Sequence, residues 1–208
     1  MPTHKIVNKK NNELVTIVAT FLTRAISPLT TSFLAVGIIY REYILPEEGS
    51  THIWLLAAAA ILFLSIATML LFMKLKLVSN WDITDRTQRP KLLAVMLLYL
   101  FALVGVTWKL GYTGAIPVLS LLVFSMLVAS LITLLWKISF HTFCVTLACL
   151  FIIFTYDSPY LYALLIVPWI TAATRIYLKK HTPLQAISGI LLALTIVLMW
   201  VLVKQLSV

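Results

Sequence analysis

Apolar residues in this chain come in long unbroken runs separated by short polar interruptions, with none of the residue-by-residue alternation of a half-buried strand. The runs cover 13–40, 52–73, 92–108, 115–136, a stretch after His141 ending near Tyr156, then 160–178 and 184–203. At 1.5 Å per residue the last of these reaches roughly 30 Å, the thickness of a bilayer's hydrocarbon core. In lipid every backbone polar group must be satisfied within the segment, so runs of this kind predict helices rather than barrel strands. The pattern predicts an all-α polytopic transmembrane bundle of six to seven helices. A polar lead at 1–12 is read as mobile and surface-lying, and 13–206 as a single helical domain.

The first run is interrupted by Arg24 and by Ser27-Pro28, which predicts a kinked helix or a half-helix followed by a span. An arginine facing lipid costs about 2.5–3.5 kcal/mol on insertion scales, so Arg24 is expected on a protein-facing side.

Composition strengthens the membrane reading. Hydrophobic residues make up 62% of 208 positions and charged residues only 11%, with a mean hydropathy of +1.02, which is outside the range of water-soluble domains. The net charge of +9 sits in short loops between runs, so it points to orientation in a membrane and not to nucleic acid. Cys144 and Cys149 lie five apart in one apolar run, off a common helical face, and suggest neither a disulfide nor a zinc site. The N-terminal region lacks the uninterrupted core and cleavage site of a signal peptide, so it is read as retained.

Polar chemistry is concentrated at three stations, 79–91, 137–141 and 175–185, each pair separated by two runs and therefore expected on one membrane face. The stations carry Arg89-Pro90, Ser139-x-His141 and Arg175-x5-His181. A guanidinium can grip a phosphoryl group through two oxygens, and an imidazole can attack phosphorus or move its proton.

In that order and on one face, these residues resemble the type 2 phosphatidic acid phosphatase superfamily, whose motifs run Lys-x6-Arg-Pro, Pro-Ser-Gly-His and Ser-Arg-x5-His-x3-Asp. Here they read Asp82-x6-Arg89-Pro90, Ile138-Ser139-Phe140-His141 and Thr174-Arg175-x5-His181-x3-Gln185. The frame is similar to a divergent bacterial membrane branch, and the resemblance covers about residues 20–205. It implies a lipid phosphatase in which His181 is the nucleophile that becomes a phosphohistidine and His141 the acid that protonates the leaving oxygen. Arg89, Arg175 and Ser139 would bind the phosphoryl oxygens. Neither a metal nor a cofactor is implied. The partners implied are a lipid phosphate substrate and membrane lipids.

Two positions depart from the family pattern. Asp82 stands in place of the first-motif lysine, and Lys137 is the nearby cation able to compensate if it turns inward rather than snorkelling to the interface. Gln185 stands in place of the aspartate that orients the nucleophile; its amide oxygen can fix a tautomer but cannot stabilise imidazolium as a carboxylate does. Thr182 to Gln185, with Pro183 between, also fits a helix capping box.

These departures keep two alternatives in view. One is a catalytically weak or inactive relative that binds phospholipid head groups. The other is a prenyltransferase-like enzyme, since Asn80 to Arg89 resembles that family's aspartate-rich loop, although no second aspartate-rich motif follows. Counting crossings, Lys5, Lys9, Lys10, Lys74, Lys76, Arg86, Lys91, Lys179 and Lys180 fall on the side of the stations, against Arg41, Lys109 and Lys204 on the other. The positive-inside rule then predicts a cell inner membrane protein with a cytoplasmic active-site mouth.

Overall fold

The computed structural model of the chain describes residues 3–206, with side chains from 13 to 203 and at 205. It is an all-α polytopic bundle with no strand among the described residues. The α-helices are α1 (Thr3–Ala25), α2 (Pro28–Ile39), α3 (Thr51–Lys74), α4 (Arg89–Lys109), α5 (Ile116–Leu135), α6 (Phe140–Tyr156), α7 (Ile166–Tyr177) and α8 (Pro183–Leu206). A π-helical turn, Tyr40–Ile44, continues α2, and 3-10 turns Arg86–Gln88, Thr113–Ala115 and Pro159–Leu165 lead into α4, α5 and α7. Among the described residues, six helical segments are long and apolar enough to cross a membrane, and α6 is a shorter apolar helix. The protein is an integral membrane protein.

Helix starts follow the local chemistry. Ser27 and Thr30 exchange hydrogen bonds, Ser27 N–H to Thr30 Oγ1 at 2.8 Å and Thr30 N–H to Ser27 Oγ at 3.3 Å. With Pro28 in the first helical position this restarts the helix as α2. Arg24 lies in the last turn of α1 and is exposed, not turned toward protein as the sequence suggested. The backbone is already helical from Thr3, so the polar stretch read as a lead continues into α1. Proline also occupies the first turn of α4, α5 and α8, where its missing N–H costs nothing.

The chain forms two compact units. The first is Met1–Thr31 with Ile138–Val208, the second Ser32–Lys137. In the first, α6 packs on α8 and α7, α7 on α8, and α1 on α7. Ala172, Ala186 and Ile190 form the α7–α8 contact, flanked by Ile176 and Leu194. Helix α1 turns threonines inward: Thr16 Oγ1 and Tyr177 Oη are hydrogen-bonded at 3.3 Å, and Thr23 donates to Thr174 Oγ1 at 3.2 Å. Leu14, Ile17 and Phe21 stay exposed on the outer side of α1. Lipid tails are as apolar as leucine, so helix association here draws on small-residue packing and hydroxyl bonds.

In the second unit α4 packs on α5 and α3. Trp54 is wholly buried, its Nε1–H donating to Thr107 Oγ1 at 2.8 Å, and Thr68 and Tyr99 hydroxyls are bonded at 2.8 Å. At the other end Met69, Val78 and Leu92 close the contact between α3, its exit and α4.

Candidate functional site

In the first unit, Arg175 and His181 are fixed by the way α7 ends. Lys179 adopts a left-handed conformation at φ 55°. The N–H of Lys180 then reaches back to the Arg175 carbonyl at 3.0 Å and that of Lys179 to Ile176 at 2.9 Å. This pair of bonds is a Schellman ending, with a lysine in the position usually given to glycine. The His181 N–H also points at the Arg175 carbonyl, at 3.4 Å, so the histidine follows directly on the turn that the arginine's backbone closes. Both side chains are turned inward: Arg175 is 1% exposed and His181 8%. Each has interactions with neighbouring groups.

The 137–141 station meets the same region. Ser139 is the N-cap of α6, its Oγ accepting from Thr142 N–H at 3.4 Å, and it is completely buried. Its own N–H donates to the Gln185 carbonyl at 3.1 Å. Thr142 Oγ1 donates to the carbonyls of Ser139 and, across the interface, Ala186. The approach is so close that a Cβ at Gly189 would meet Thr142 Oγ1, and would lie 2.6 Å from the Ser139 carbonyl oxygen. Thus the start of α6, which carries His141, is seated on the first turns of α8. His141 itself is half-buried and engaged with its surroundings.

Gln185 shows its structural role plainly. Its Oε1 accepts from Thr182 N–H at 3.2 Å while Thr182 Oγ1 accepts from Gln185 N–H at 3.3 Å, a reciprocal capping box at the start of α8. Its amide oxygen is therefore committed to backbone at the helix start.

The remaining predicted residues belong to the second unit. Arg89 is 3% exposed, and its Nε–H donates to the Ile83 carbonyl at 3.0 Å, so part of its fork is spent closing the 83–89 turn. Asp82 is half-buried. Arg86 caps the end of α5 by donating to the Leu134 carbonyl at 2.7 Å. Asp85 accepts from both Thr87 N–H at 2.9 Å and Thr87 Oγ1–H at 2.8 Å. These two bonds, with the nearby Lys137 and Arg86 charges, hold its carboxylate below the ordinary value of 3.8. Lys137 is half-buried and lies in the field of Asp85.

Sequence reasoning did not single out Thr142 or Gly189, which together seat α6 on α8. Thr142, three residues after the N-cap serine, carried a spacing signal; a glycine inside an apolar helix carries none until its neighbour is known. Among the described residues no three His, Cys, Asp or Glu side chains form a metal-ligand cluster.

The chain was compared with family models, curated proteins and solved structures, and none of them matches it.

Proposed function

We propose that this protein is an integral membrane lipid phosphatase acting on a phosphate or diphosphate borne by an apolar tail. The observation that carries the reading is the burial of Arg175 and His181 at the two ends of one tightly closed turn, against the α6 start that carries Ser139 and His141. Ionisable groups are expensive in a membrane protein and by default mark function. In the proposed reaction the His181 imidazole attacks phosphorus, forming a P–N bond as the P–O bond to the lipid breaks, and His141 gives its proton to the departing oxygen. Water then cleaves the phosphohistidine, releasing inorganic phosphate and restoring both histidines. Arg175 and Ser139 bind phosphoryl oxygens where charge builds up. The resemblance assigns the same task to Arg89 and Lys137. The head group is proposed to enter from the cytoplasmic leaflet of a cell inner membrane, on the positive-inside count.

A second reading, head-group binding without turnover, is favoured by one observation: the Gln185 amide oxygen serves the Thr182 backbone, where the resembling family has a carboxylate for the nucleophile. Phosphate release from a panel of lipid phosphates by purified protein in detergent, with and without chelator, separates the readings. The phosphatase reading expects chelator-insensitive release, abolished in His181→Ala and slowed by about 10²–10⁴ in His141→Ala. Equal release by wild type and His181→Ala would end it. Saturable lipid phosphate binding with no release, lost in Arg175→Ala, would favour the second.

A further inference from the structure

Helices α2 and α3 are consecutive, yet α3 packs on α4 and on the Tyr40–Ile44 turn rather than along α2. The two are pinned at one end, where the rings of Tyr40 and Trp54 stack with centroids 6.2 Å apart. Away from that pin a groove lies between Phe33, Val36 and Gly37 on α2 and Leu55, Leu62 and Phe63 on α3. Its volume is about 460 Å³. Phe33 is 50% exposed and Phe63 71%, so both stand at an open mouth. Both helices belong to segments that are long and apolar enough to cross a membrane, which sets the mouth against lipid.

The occupant follows from chemistry and size. No polar side chain lines the groove, and a buried water needs two or more polar partners, so water is a poor filler. A helical segment as long as α2 is about 18 Å by 10 Å and sweeps about 1,400 Å³, roughly three times what the groove offers. A flexible hydrocarbon chain fits where a helix does not. Gly37 supports the same occupant. A Cβ there would meet nothing within 4 Å, so the glycine is not required by close packing inside the chain, although it is a poor helix former. What its bare backbone does is widen the groove.

We infer that the groove between α2 and α3 is a binding site for one acyl chain of a membrane lipid, held in place against the exchanging lipid around it. This inference stands independently of the phosphatase reading. The test reconstitutes the full chain in phosphatidylethanolamine–phosphatidylglycerol vesicles containing a phospholipid with a photoactivatable diazirine in its acyl chain, and maps adducts by mass spectrometry. Adducts at Phe33, Val36, Leu62 and Phe63 should exceed, several-fold, those at Phe101 and Leu131, which are 52% and 55% exposed. Filling the groove with Gly37→Leu and Ala59→Leu should remove that excess while leaving labelling at Phe101 and Leu131 unchanged. Equal labelling of groove and control positions in the wild type would overturn the inference whether or not the filled variant folds. So would efficient disulfide dimerisation of Gly37→Cys together with absent groove labelling, which would make a second copy the occupant.

Discussion

The carbonyl oxygen of Ser139 sits 2.6 Å from where a Cβ at position 189 would be built, so Gly189 and Ser139 touch backbone to backbone. Gly189→Ala therefore forces α6 and α8 apart at the end that carries Ser139 and His141, at a cost of about 1–3 kcal/mol. Gly105, whose added Cβ would meet nothing within 4 Å, is the control. Gly105→Ala should leave stability unchanged or raise it by about 0.5–1 kcal/mol. Thermal unfolding in detergent distinguishes them, and equal midpoints for the two variants would refute the close packing.

The capping box gives a second stability prediction. Gln185→Ala loses the bond to Thr182 N–H and should cost about 1 kcal/mol, whereas Gln185→Glu keeps an acceptor of the same length and should match wild type in the same unfolding assay. A Glu variant as unstable as the Ala variant would show that the amide NH₂, not the acceptor oxygen, matters.

Two hydroxyls on one face of α5, Ser125 Oγ and Thr133 Oγ1, are buried with no hydrogen-bond partner among the described residues. A buried hydroxyl left in that condition costs about 1–3 kcal/mol, so Ser125→Ala and Thr133→Val should hold or raise the unfolding midpoint. Trp54→Phe is the contrast, since it deletes the 2.8 Å bond to Thr107 and should lower stability by about 1 kcal/mol. A clear loss in both hydroxyl variants would contradict the buried, unbonded geometry.

Asp85 makes the turn before α4 sensitive to acid. Its folded carboxylate lies below the ordinary 3.8 because Thr87 bonds the charged form. The stabilisation is thus fully present above the unfolded value and lost as pH falls through the lower folded one. Hydrogen exchange at the Thr87 amide should be protected at neutral pH and lose that protection only below about 3.8, while Asp85→Asn should weaken this dependence. Unchanged protection in the wild type through that range would remove the role assigned to the carboxylate.

The proposed orientation is checked at Thr87, which is exposed in the loop before α4. In a background lacking Cys144 and Cys149, Thr87→Cys should be silent to an impermeant thiol reagent in intact cells and react after lysis. Reaction in intact cells would put the stations on the outer face.

The sequence made much of this legible because membrane helices announce themselves by length and apolarity. The expected run 92–108 is covered by α4 at Arg89–Lys109, the run ending near Tyr156 by α6, and the interruption at Ser27-Pro28 is a true break between α1 and α2. Capping at Gln185 was also readable, since a capping box is local chemistry. The helical backbone from Thr3 was not, because the polar residues there give no apolar periodicity. Arg24 was assigned inward on cost alone, but it falls in the last turn of α1, just before the break, and is exposed. The burial of Arg175 and His181 could not be read either, since a basic residue at a run's edge looks the same whether it faces solvent or turns in. Deciding between them took the Schellman turn and the seat on α8.

The threonine seam between α1 and α7 has a consequence for how the protein is made. Thr16 and Thr23 find their partners 161 and 151 residues later in the chain. At typical synthesis rates of about 5–20 residues per second, α1 therefore waits on the order of ten seconds for α7. During that interval its hydroxyls are unmatched by α7 while its apolar side already faces lipid, and the intervening helices of the second unit emerge first. The first unit is thus sewn shut last, which makes the ribosome-bound chain dependent on insertion machinery that can hold an early helix in reserve until the final three arrive.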